Sequence, residues 1–315
     1  MSSYPVPKHV TICEVGPRDG LQNEPVAVAA ADKVRYIDLL VAAGFRDLEV
    51  TSFVNPKAVP QLADAEAVYA GFRKVPGRRY ICLVPNDRGL DRALAAGVDS
   101  IAVFTAASNS FAQRNIGMTI DESLVTFGRV VARAKGYGLW VRASVSTAFG
   151  CPFEGDVPVA AVVRTAERLL ELGVDELSIA DTIGVGTPNQ VDEIVAALEG
   201  RVPFDRLGLH FHDTRGTALA NTLAALRAGV HIFDSSAGGL GGCPFAPGAT
   251  GNVATEDLLY LLHGMGIETG VDLAQVRAAS RFIGTILEGR IVSRAYRALE
   301  AAEARGSATA GSARL

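Results

Sequence analysis

Short apolar runs alternate with longer amphipathic stretches from residue 10 to about residue 250. The short runs are rich in β-branched and aromatic residues and predict eight strands, over residues 10–16, 47–52, 79–84, 100–106, 140–146, 176–182, 207–213 and 232–237. The stretches between them repeat their apolar positions with helical spacing, most clearly over residues 32–43, 121–136, 159–172 and 217–228. Glycine directly follows several of these stretches, as expected just past a helix end.

Eight strand–helix units predict a parallel (β/α)8 TIM barrel. A doubly wound open sheet is the alternative, but the loop after the first strand lacks the glycine-rich phosphate fingerprint of that fold. Beyond Asn252 the pattern turns helical, over residues 256–265 and 273–304. We therefore predict one domain over residues 1–303, with C-terminal helices from about 255 to 303, and a disordered tail over 304–315.

The composition argues against several classes of protein. The chain has 315 residues, 49 % of them hydrophobic, and a formal net charge of −4, which argues against disorder and gives no electrostatic footprint for nucleic acid. Four cysteines do not make a disulfide scaffold. No segment reads as a secretion signal or a membrane span, so a cytoplasmic protein is expected.

Two of the five histidines fall at one predicted strand end. His210 and His212 flank Phe211, and side chains at i and i+2 of a strand point to the same side, which makes the pair a candidate metal chelate. The loop after the first strand adds Arg18 and Asp19, where barrel enzymes carry their sites. Asp19 could supply a carboxylate ligand, and Arg18 could stabilise an enolate. The alternatives are two histidines packed by chance and an exposed ion pair.

Five further polar residues lie at notable positions. Glu49 and Asp181 interrupt apolar strands, which predicts that they hold the arginine or the histidines in place, with Arg142 as a pairing partner. Cys243 lies in a glycine-rich loop after the eighth strand, either as a reactive residue on a mobile lid or as an incidental thiol. Asn252, at the end of that loop, could offer an oxygen ligand.

Several segments together resemble the 3-hydroxy-3-methylglutaryl-CoA lyase family. They are EVGPRDGLQNE at residues 14–24, TSFVNPK at 51–57, GCPFEG at 150–155, DTIGVGTP at 181–188, and the stretch over 237–257. The motifs occur in the family's order, and the resemblance runs from about residue 10 to about residue 270. The arginine–aspartate pair and the two histidines are shared with a wider superfamily of metal-dependent lyases and condensing enzymes, whereas the cysteine loop is specific to the lyases.

The resemblance implies a TIM-barrel lyase that uses Mg²⁺ or Mn²⁺ and cleaves 3-hydroxy-3-methylglutaryl-CoA to acetoacetate and acetyl-CoA, as in leucine degradation and ketone body formation. The metal ligands it implies are Asp19, His210, His212 and Asn252. The catalytic residues it implies are Arg18, Asp19, Glu49, Asp181, His210 and Cys243. Either Asp19 or His210 would be the general base. An acyl-CoA is the expected partner, with no nucleic acid or membrane, and a homo-oligomer is compatible.

The chain departs from the family pattern at three positions. Ser144 stands where the well-studied lyases carry Tyr, Arg215 stands at another position that often holds Tyr, and Thr119 replaces a Ser. A smaller side chain at Ser144 would enlarge the acyl pocket, so the same chemistry on a different or longer 3-hydroxyacyl-CoA is the main alternative. A barrel that binds metal without catalysis, and a condensing synthase, are further alternatives. The synthase would need a long C-terminal regulatory region.

Overall fold

The structure is a computed structural model that describes residues 6–242 and 251–312, with side chains up to residue 305. Within these residues eight parallel strands close into a barrel in sequence order, with β8 pairing to β1. The strands are β1 Thr11–Glu14, β2 Asp47–Ser52, β3 Arg79–Leu83, β4 Ser100–Ala106, β5 Trp140–Ser146, β6 Glu176–Asp181, β7 Leu207–Phe211 and β8 Ile232–Ser235. The TIM barrel expected from the sequence is confirmed, and each strand lies within its predicted run.

The described residues also form eleven α-helices, most of which cover the outside of the barrel. They are α1 Ala30–Ala43, α2 Ala65–Gly71, α3 Asp87–Ala95, α4 Asn109–Ile116, α5 Ile120–Gly136, α6 Val159–Glu171, α7 Pro188–Leu198, α8 Ala218–Arg227, α9 Thr255–Gly264, α10 Leu273–Ile286 and α11 Arg294–Ser312. None of them combines the length and apolar character that crossing a membrane requires.

Successive side chains along each strand point alternately into the barrel and toward the core between the barrel and the helices. In β5, Val141, Ala143 and Val145 are fully buried in the large core between barrel and helices. The intervening Arg142 and Ser144 point into the barrel and line its cavity. Because a period of two sends successive side chains to opposite faces, every strand delivers part of its sequence to the barrel interior. Polar residues inside apolar strands are therefore candidates for the site.

The stretch over residues 273–304, predicted to be helical, forms two helices in the structure, α10 and α11. The chain breaks between α10 and α11, where Glu288 and Gly289 both adopt positive φ, of 54° and 84°. Gly289 N–H donates to Gly284 O at 2.8 Å, which closes the end of α10. The predicted division into a domain over 1–303 and a disordered tail over 304–315 stays a prediction, although α11 continues in this structure to Ser312.

Candidate active site

The segment between β1 and α1 forms one π-helical turn, Gly16–Gly20. The amides of Arg18, Asp19 and Gly20 all donate to Val15 O, at 3.2, 2.8 and 3.1 Å. Gly16 is required here because a Cβ would lie 2.6 Å from Glu14 Oε1 and 2.7 Å from the hydroxyl of Tyr36. The tight turn places the arginine and the aspartate side by side over the carboxyl end of the barrel.

Arg18 joins two carboxylates at the mouth of the cavity. Its Nη1 donates to Asp19 Oδ1 at 2.8 Å and its Nη2 donates to Glu49 Oε2 at 2.6 Å. Its Nε is buried and has no hydrogen-bond partner within the protein. The structure thus places Glu49 where the sequence predicted it, against the arginine. Burial alone would lower the pKa of Arg18, but the two carboxylates outweigh burial and raise it.

His210 and His212 point to the same side of β7 and its end, and their ring centres lie 5.1 Å apart. His210 Nδ1 lies 3.1 Å from Asp234 Oδ2, a neighbour in the β7–β8 register. Burial would lower the pKa of His210, but Asp234 outweighs it and the pKa is raised. Burial lowers the pKa of His212 to about 3, so this imidazole is held neutral and able to ligate.

Asn252 is placed opposite His212 by a short antiparallel pairing. Asp213 N–H donates to Gly251 O at 2.9 Å, and Val253 N–H donates to Phe211 O at 3.0 Å. The amide nitrogen of Asn252 donates to Asp19 Oδ2 at 2.9 Å and to Leu240 O at 3.0 Å. Its Oδ1 is buried and has no partner within the protein.

The donor set fits a divalent cation. Ligand atoms of Asp19, His210 and His212 lie within 4.8 Å of one another. His212 Nδ1 and Asn252 Oδ1 are buried without hydrogen-bond partners, a state that costs free energy unless a ligand completes it. Burial raises the pKa of Asp19, but Arg18 and the two histidines outweigh this and hold that carboxyl ionised. Two imidazoles with carboxylate and amide oxygens suit a borderline or hard divalent ion.

Two sequence-based expectations differ from the structure. The carboxylate of Asp181 accepts hydrogen bonds from the amides of Val185 and Gly186, at 3.0 and 2.8 Å, so it holds its own loop rather than a histidine or Arg18. Arg142 pairs with neither Glu49 nor Asp181. It pairs instead with Asp234 and Glu176, at 2.6 and 2.8 Å. The register brings these groups together, since Arg142 lies beside Glu176 across the β5–β6 pairing.

Cys243 lies outside the described residues. The segment that leads to it is held at two places: Asn23 Nδ2 donates to Gly242 O at 2.9 Å, and Glu14 Oε1 accepts from the amide of Ala237 at 2.9 Å. The remaining cysteines, Cys13, Cys82 and Cys151, are buried free thiols.

The sequence analysis missed Asp234, the carboxylate closest to His210. It lies in Phe233-Asp234-Ser235 within β8, and it is an acidic residue inside an apolar strand. This is the signal that singled out Glu49 and Asp181, and it would have found Asp234 equally well. Glu14 and Glu176, also buried in strands, carry the same signal.

The structure shows the surroundings of two residues that depart from the family pattern, Ser144 and Arg215. Ser144 lines the cavity together with Ala102, Phe104 and Ser178, so this wall consists mainly of small side chains. Arg215 donates from Nη1 to the carbonyl oxygens of Ile183 and Gly184, at 3.1 and 2.9 Å, and so ties the loop after β7 to the loop after β6.

Comparison with known proteins agrees with this geometry. The HMGL-like family model matches residues 9–283. The hydroxymethylglutaryl-CoA lyase of Bacillus subtilis is 50 % identical over 89 % of this chain and 93 % of its own length. A Pseudomonas aeruginosa enzyme named 3-hydroxy-3-isohexenylglutaryl-CoA/hydroxy-methylglutaryl-CoA lyase is 49 % identical over 93 % of this chain and 98 % of its own.

Solved structures give the same relationship. The crystal structure of hydroxymethylglutaryl-CoA lyase from Pseudomonas aeruginosa superposes with a TM-score of 0.92 at 49 % identity, and covers 94 % of this chain and 99 % of its own. On the fold, the arrangement of the site and these likenesses, the chain belongs to the HMGL-like family of carbon–carbon lyases, among the hydroxymethylglutaryl-CoA lyases.

Proposed function

We propose that this protein cleaves 3-hydroxy-3-methylglutaryl-CoA to acetoacetate and acetyl-CoA. The observation that carries the proposal is the cluster of Asp19, His210, His212 and Asn252 directly beside the partly buried guanidinium of Arg18. A retro-Claisen cleavage needs both a group that acidifies a hydroxyl and a cation that receives enolate charge, and this cavity brings the two together. Relatives of nearly half-identical sequence are named for this reaction.

The four ligand residues would hold Mg²⁺ or Mn²⁺. When bound, such a cation supplies Lewis acidity that lowers the pKa of a substrate hydroxyl. The mix of two imidazoles with oxygen donors leaves room for further oxygen ligands, which an octahedral ion takes from water or substrate. Zn²⁺ would accept the two histidines but prefers four-coordinate sites.

Proton transfer starts the reaction at the C3 hydroxyl. Asp19, an ionised carboxylate, or His210 removes that proton, and the C3–O electrons form the ketone of acetoacetate. The C2–C3 bond breaks, and its electron pair passes into the thioester as an enolate. Arg18 is placed to stabilise the charge on the thioester oxygen. Protonation at C2 then gives acetyl-CoA, a step in which we assign Cys243 as the proton donor or as a shield from solvent.

An acetoacetate-release assay tests the proposal. Purified protein should release acetoacetate from 3-hydroxy-3-methylglutaryl-CoA, lose activity on chelation, and recover it with Mg²⁺ or Mn²⁺. Asp19→Ala should weaken binding of Mn²⁺ as followed by its electron paramagnetic resonance. An unchanged affinity would remove Asp19 from the ligand set. Absence of turnover with any added divalent metal would overturn the proposed activity.

A longer acyl-CoA is the second candidate substrate. The small side chain of Ser144 on the cavity wall favours it, and one relative is named for both 3-hydroxy-3-isohexenylglutaryl-CoA and hydroxymethylglutaryl-CoA. The same assay with a longer C3 branch decides between them. Turnover of the branched analogue without turnover of the methyl substrate would replace the first candidate by the second.

An acyl-CoA as partner is supported by a relative solved in complex with coenzyme A and 3-methylmalate, which is 39 % identical. We also infer a cytoplasmic location. Some relatives are named as cytoplasmic, which supports this location, whereas others are named as mitochondrial. Acetoacetate as a product would connect the protein to leucine degradation and ketone body formation. Size-exclusion chromatography would establish whether it forms a homo-oligomer.

A further inference from the structure

A chain of buried charges runs through the barrel interior beneath the site. Glu176 Oε1 lies 2.8 Å from Arg142 Nε, and Arg142 Nη2 donates to Asp234 Oδ1 at 2.6 Å. The other oxygen of Asp234 lies 3.1 Å from His210 Nδ1. Side-chain exposure is 3 % for Arg142, 4 % for Asp234 and 7 % for Glu176, so these contacts are made away from bulk water.

The register between neighbouring strands places these charged side chains next to one another. His210 is the direct neighbour of Asp234 across the β7–β8 pairing, and both side chains point into the barrel. Ser178, on β6, donates from Oγ to Asp234 Oδ2 at 3.2 Å. Asp234 thus has three hydrogen-bonding partners. Two are the donors Arg142 and Ser178, and the third is the imidazole of His210. With both donors on its flanks, Asp234 has little freedom to rotate away from His210.

The contact with Asp234 decides which nitrogen of His210 faces the site. An ionised carboxylate accepts hydrogen bonds only, so Nδ1 must carry the proton in this contact. The neutral ring then keeps its lone pair on Nε2. Ligand atoms of Asp19, His210 and His212 lie within 4.8 Å of one another, and because Nδ1 contacts Asp234, Nε2 is the nitrogen of His210 that remains for this cluster.

We propose that Asp234 is a positioning residue that fixes the orientation and the Nδ1–H tautomer of His210, with Arg142 and Ser178 fixing Asp234 in turn. Carboxylates behind metal-bound histidines act in this way in many metal sites. The inference rests on the cation site of the proposed function, but the tautomer is a property of the protein that can be measured without any cation.

Nitrogen-15 NMR of the unaltered, metal-free protein provides the first test. With ¹⁵N-labelled histidine, the chain gives only five imidazole spin systems, and the signal lost in His210→Gln identifies His210. At a pH where this ring is neutral, we expect the Nδ1–H pattern of shifts and couplings. A neutral His210 protonated at Nε2 would overturn the proposal, whatever the protein catalyses.

Asp234→Asn provides the second test, because an amide can present its N–H to the ring. If its oxygen keeps the contact with Arg142, its nitrogen faces His210 Nδ1 and forces the Nε2–H tautomer, which leaves no lone pair on Nε2 for a metal. We expect the His210 signal to change tautomer and the affinity for Mn²⁺ to fall about 10- to 100-fold. Mn²⁺ binding is followed by electron paramagnetic resonance, separately from activity.

Asp47→Asn is the matched control. Asp47, whose carboxylate is as buried as that of Asp234, pairs with the partly exposed Arg79 at 2.6 Å, at the amino end of the same barrel. This variant should lose stability while keeping the His210 tautomer and the Mn²⁺ affinity. Equal losses of Mn²⁺ affinity in both variants, or an unchanged affinity in Asp234→Asn, would overturn the proposal. Asp234 would then be only a structural counter-ion of Arg142. If Asp234→Asn does not fold, the spectrum of the unaltered protein decides alone.

Discussion

The guanidinium of Arg18 lies between Asp19 and Glu49, and its Nε is buried without a hydrogen-bond partner within the protein. The two carboxylates hold the plane of the guanidinium in place. A residue that is oriented in this way can act on developing charge without rearranging during the reaction. Replacing Arg18 should therefore lower kcat strongly while the protein still folds.

Arg18→Gln should lower kcat by about 10³-fold, because Gln keeps a donor but loses the positive charge that receives the enolate. The variant should still give the circular dichroism spectrum of the folded protein. Arg79→Gln is the matched control, since Arg79 pairs with Asp47 at the opposite end of the barrel. The control should lose stability and retain kcat. A near-normal kcat in Arg18→Gln would contradict the role assigned to Arg18.

Individual residues also mark where sequence reasoning worked and where it did not. The spacing of His210 and His212 was sufficient to predict a shared face, because side-chain direction in a strand depends only on parity. The partner of His210 was not predicted, because the neighbour of a strand residue depends on register between strands. Asp234 lies 24 residues further along the chain and is adjacent only through the β7–β8 register.

At the scale of elements, one carboxyl ties together the end of β1, the π-helical turn and the start of α9. Glu14 Oε1 accepts from the amides of Gly16 and Ala237, at 2.8 and 2.9 Å, and Oε2 accepts from the Thr255 hydroxyl at 2.7 Å. Tyr36 and Glu256 are the nearby titratable groups. Burial raises the pKa of Glu14 to about 8, so this junction is held together by a group that is neutral near pH 7.

Glu14→Gln should alter how stability depends on pH. With a folded pKa of about 8 against a usual value of 4.5, the folded protein holds a proton that the unfolded chain releases. The contribution of Glu14 to the free energy of unfolding is complete below the lower value and falls, by a few kcal/mol, as pH rises toward the upper one. Glutamine reproduces the neutral form and does not titrate. The stability of the variant relative to the unaltered protein should therefore rise across this range.

Urea unfolding at a series of pH values measures this difference. Glu193→Gln, on the exposed face of α7, is the control and should follow the unaltered protein. Glu256, whose pKa burial raises to about 7, contributes in the same direction, so the Glu14 variant should keep part of the slope. A stability difference between Glu14→Gln and the unaltered protein that stays constant with pH would show that Glu14 is ionised in the folded state.

The amino end of α5 allows a second prediction at this scale. Thr119 Oγ1 accepts from the amide of Glu122 at 3.2 Å, and Glu122 Oε2 accepts from the amide of Thr119 at 2.8 Å, which is a complete capping box. Thr119→Ala should lower the free energy of unfolding by about 1 kcal/mol and leave kcat unchanged. Thr119→Ser keeps the hydroxyl and should retain stability. Equal losses in both variants would mean that the methyl group, not the cap, matters at this position.

Elements differ in how far the sequence defines them. The glycines at 44, 97, 173 and 229 all adopt positive φ beyond the helices they follow, so these ends were predictable from residue type. Gly289, with φ of 84°, carries the same signal after α10, but the positive φ of Glu288, 54°, was not predictable from residue type. The chain turns there, and Val292 N–H donates to Gly238 O at 3.0 Å. That turn is imposed by packing against the barrel mouth.

At the scale of the whole molecule, the C-terminal helices are fastened to the face that carries the site. Asp257 on α9 accepts from the hydroxyl of Ser293 and the amide of Ala295, at 2.7 and 2.6 Å, and it is 8 % exposed. Arg277 and Arg281 on α10 pair with Glu300 on α11, at 2.6 and 2.7 Å. We therefore expect the barrel and its helical extension to unfold as one cooperative unit.

Two deletions test where that unit ends. Removing residues 293–315 takes away the partners of Asp257 and leaves a carboxylate with unmet hydrogen bonds in a buried position, which should cost about 3 kcal/mol or more. The deletion also removes Ser293, whose amide donates to Gly238 O at 3.4 Å near the segment leading to Asn252, so the affinity for Mn²⁺ should fall as well. Removing residues 306–315, which lie within the predicted tail, should leave the unfolding midpoint and kcat unchanged. A loss of either in the shorter deletion would move the domain boundary beyond residue 303, because a segment that stabilises the fold belongs to the domain.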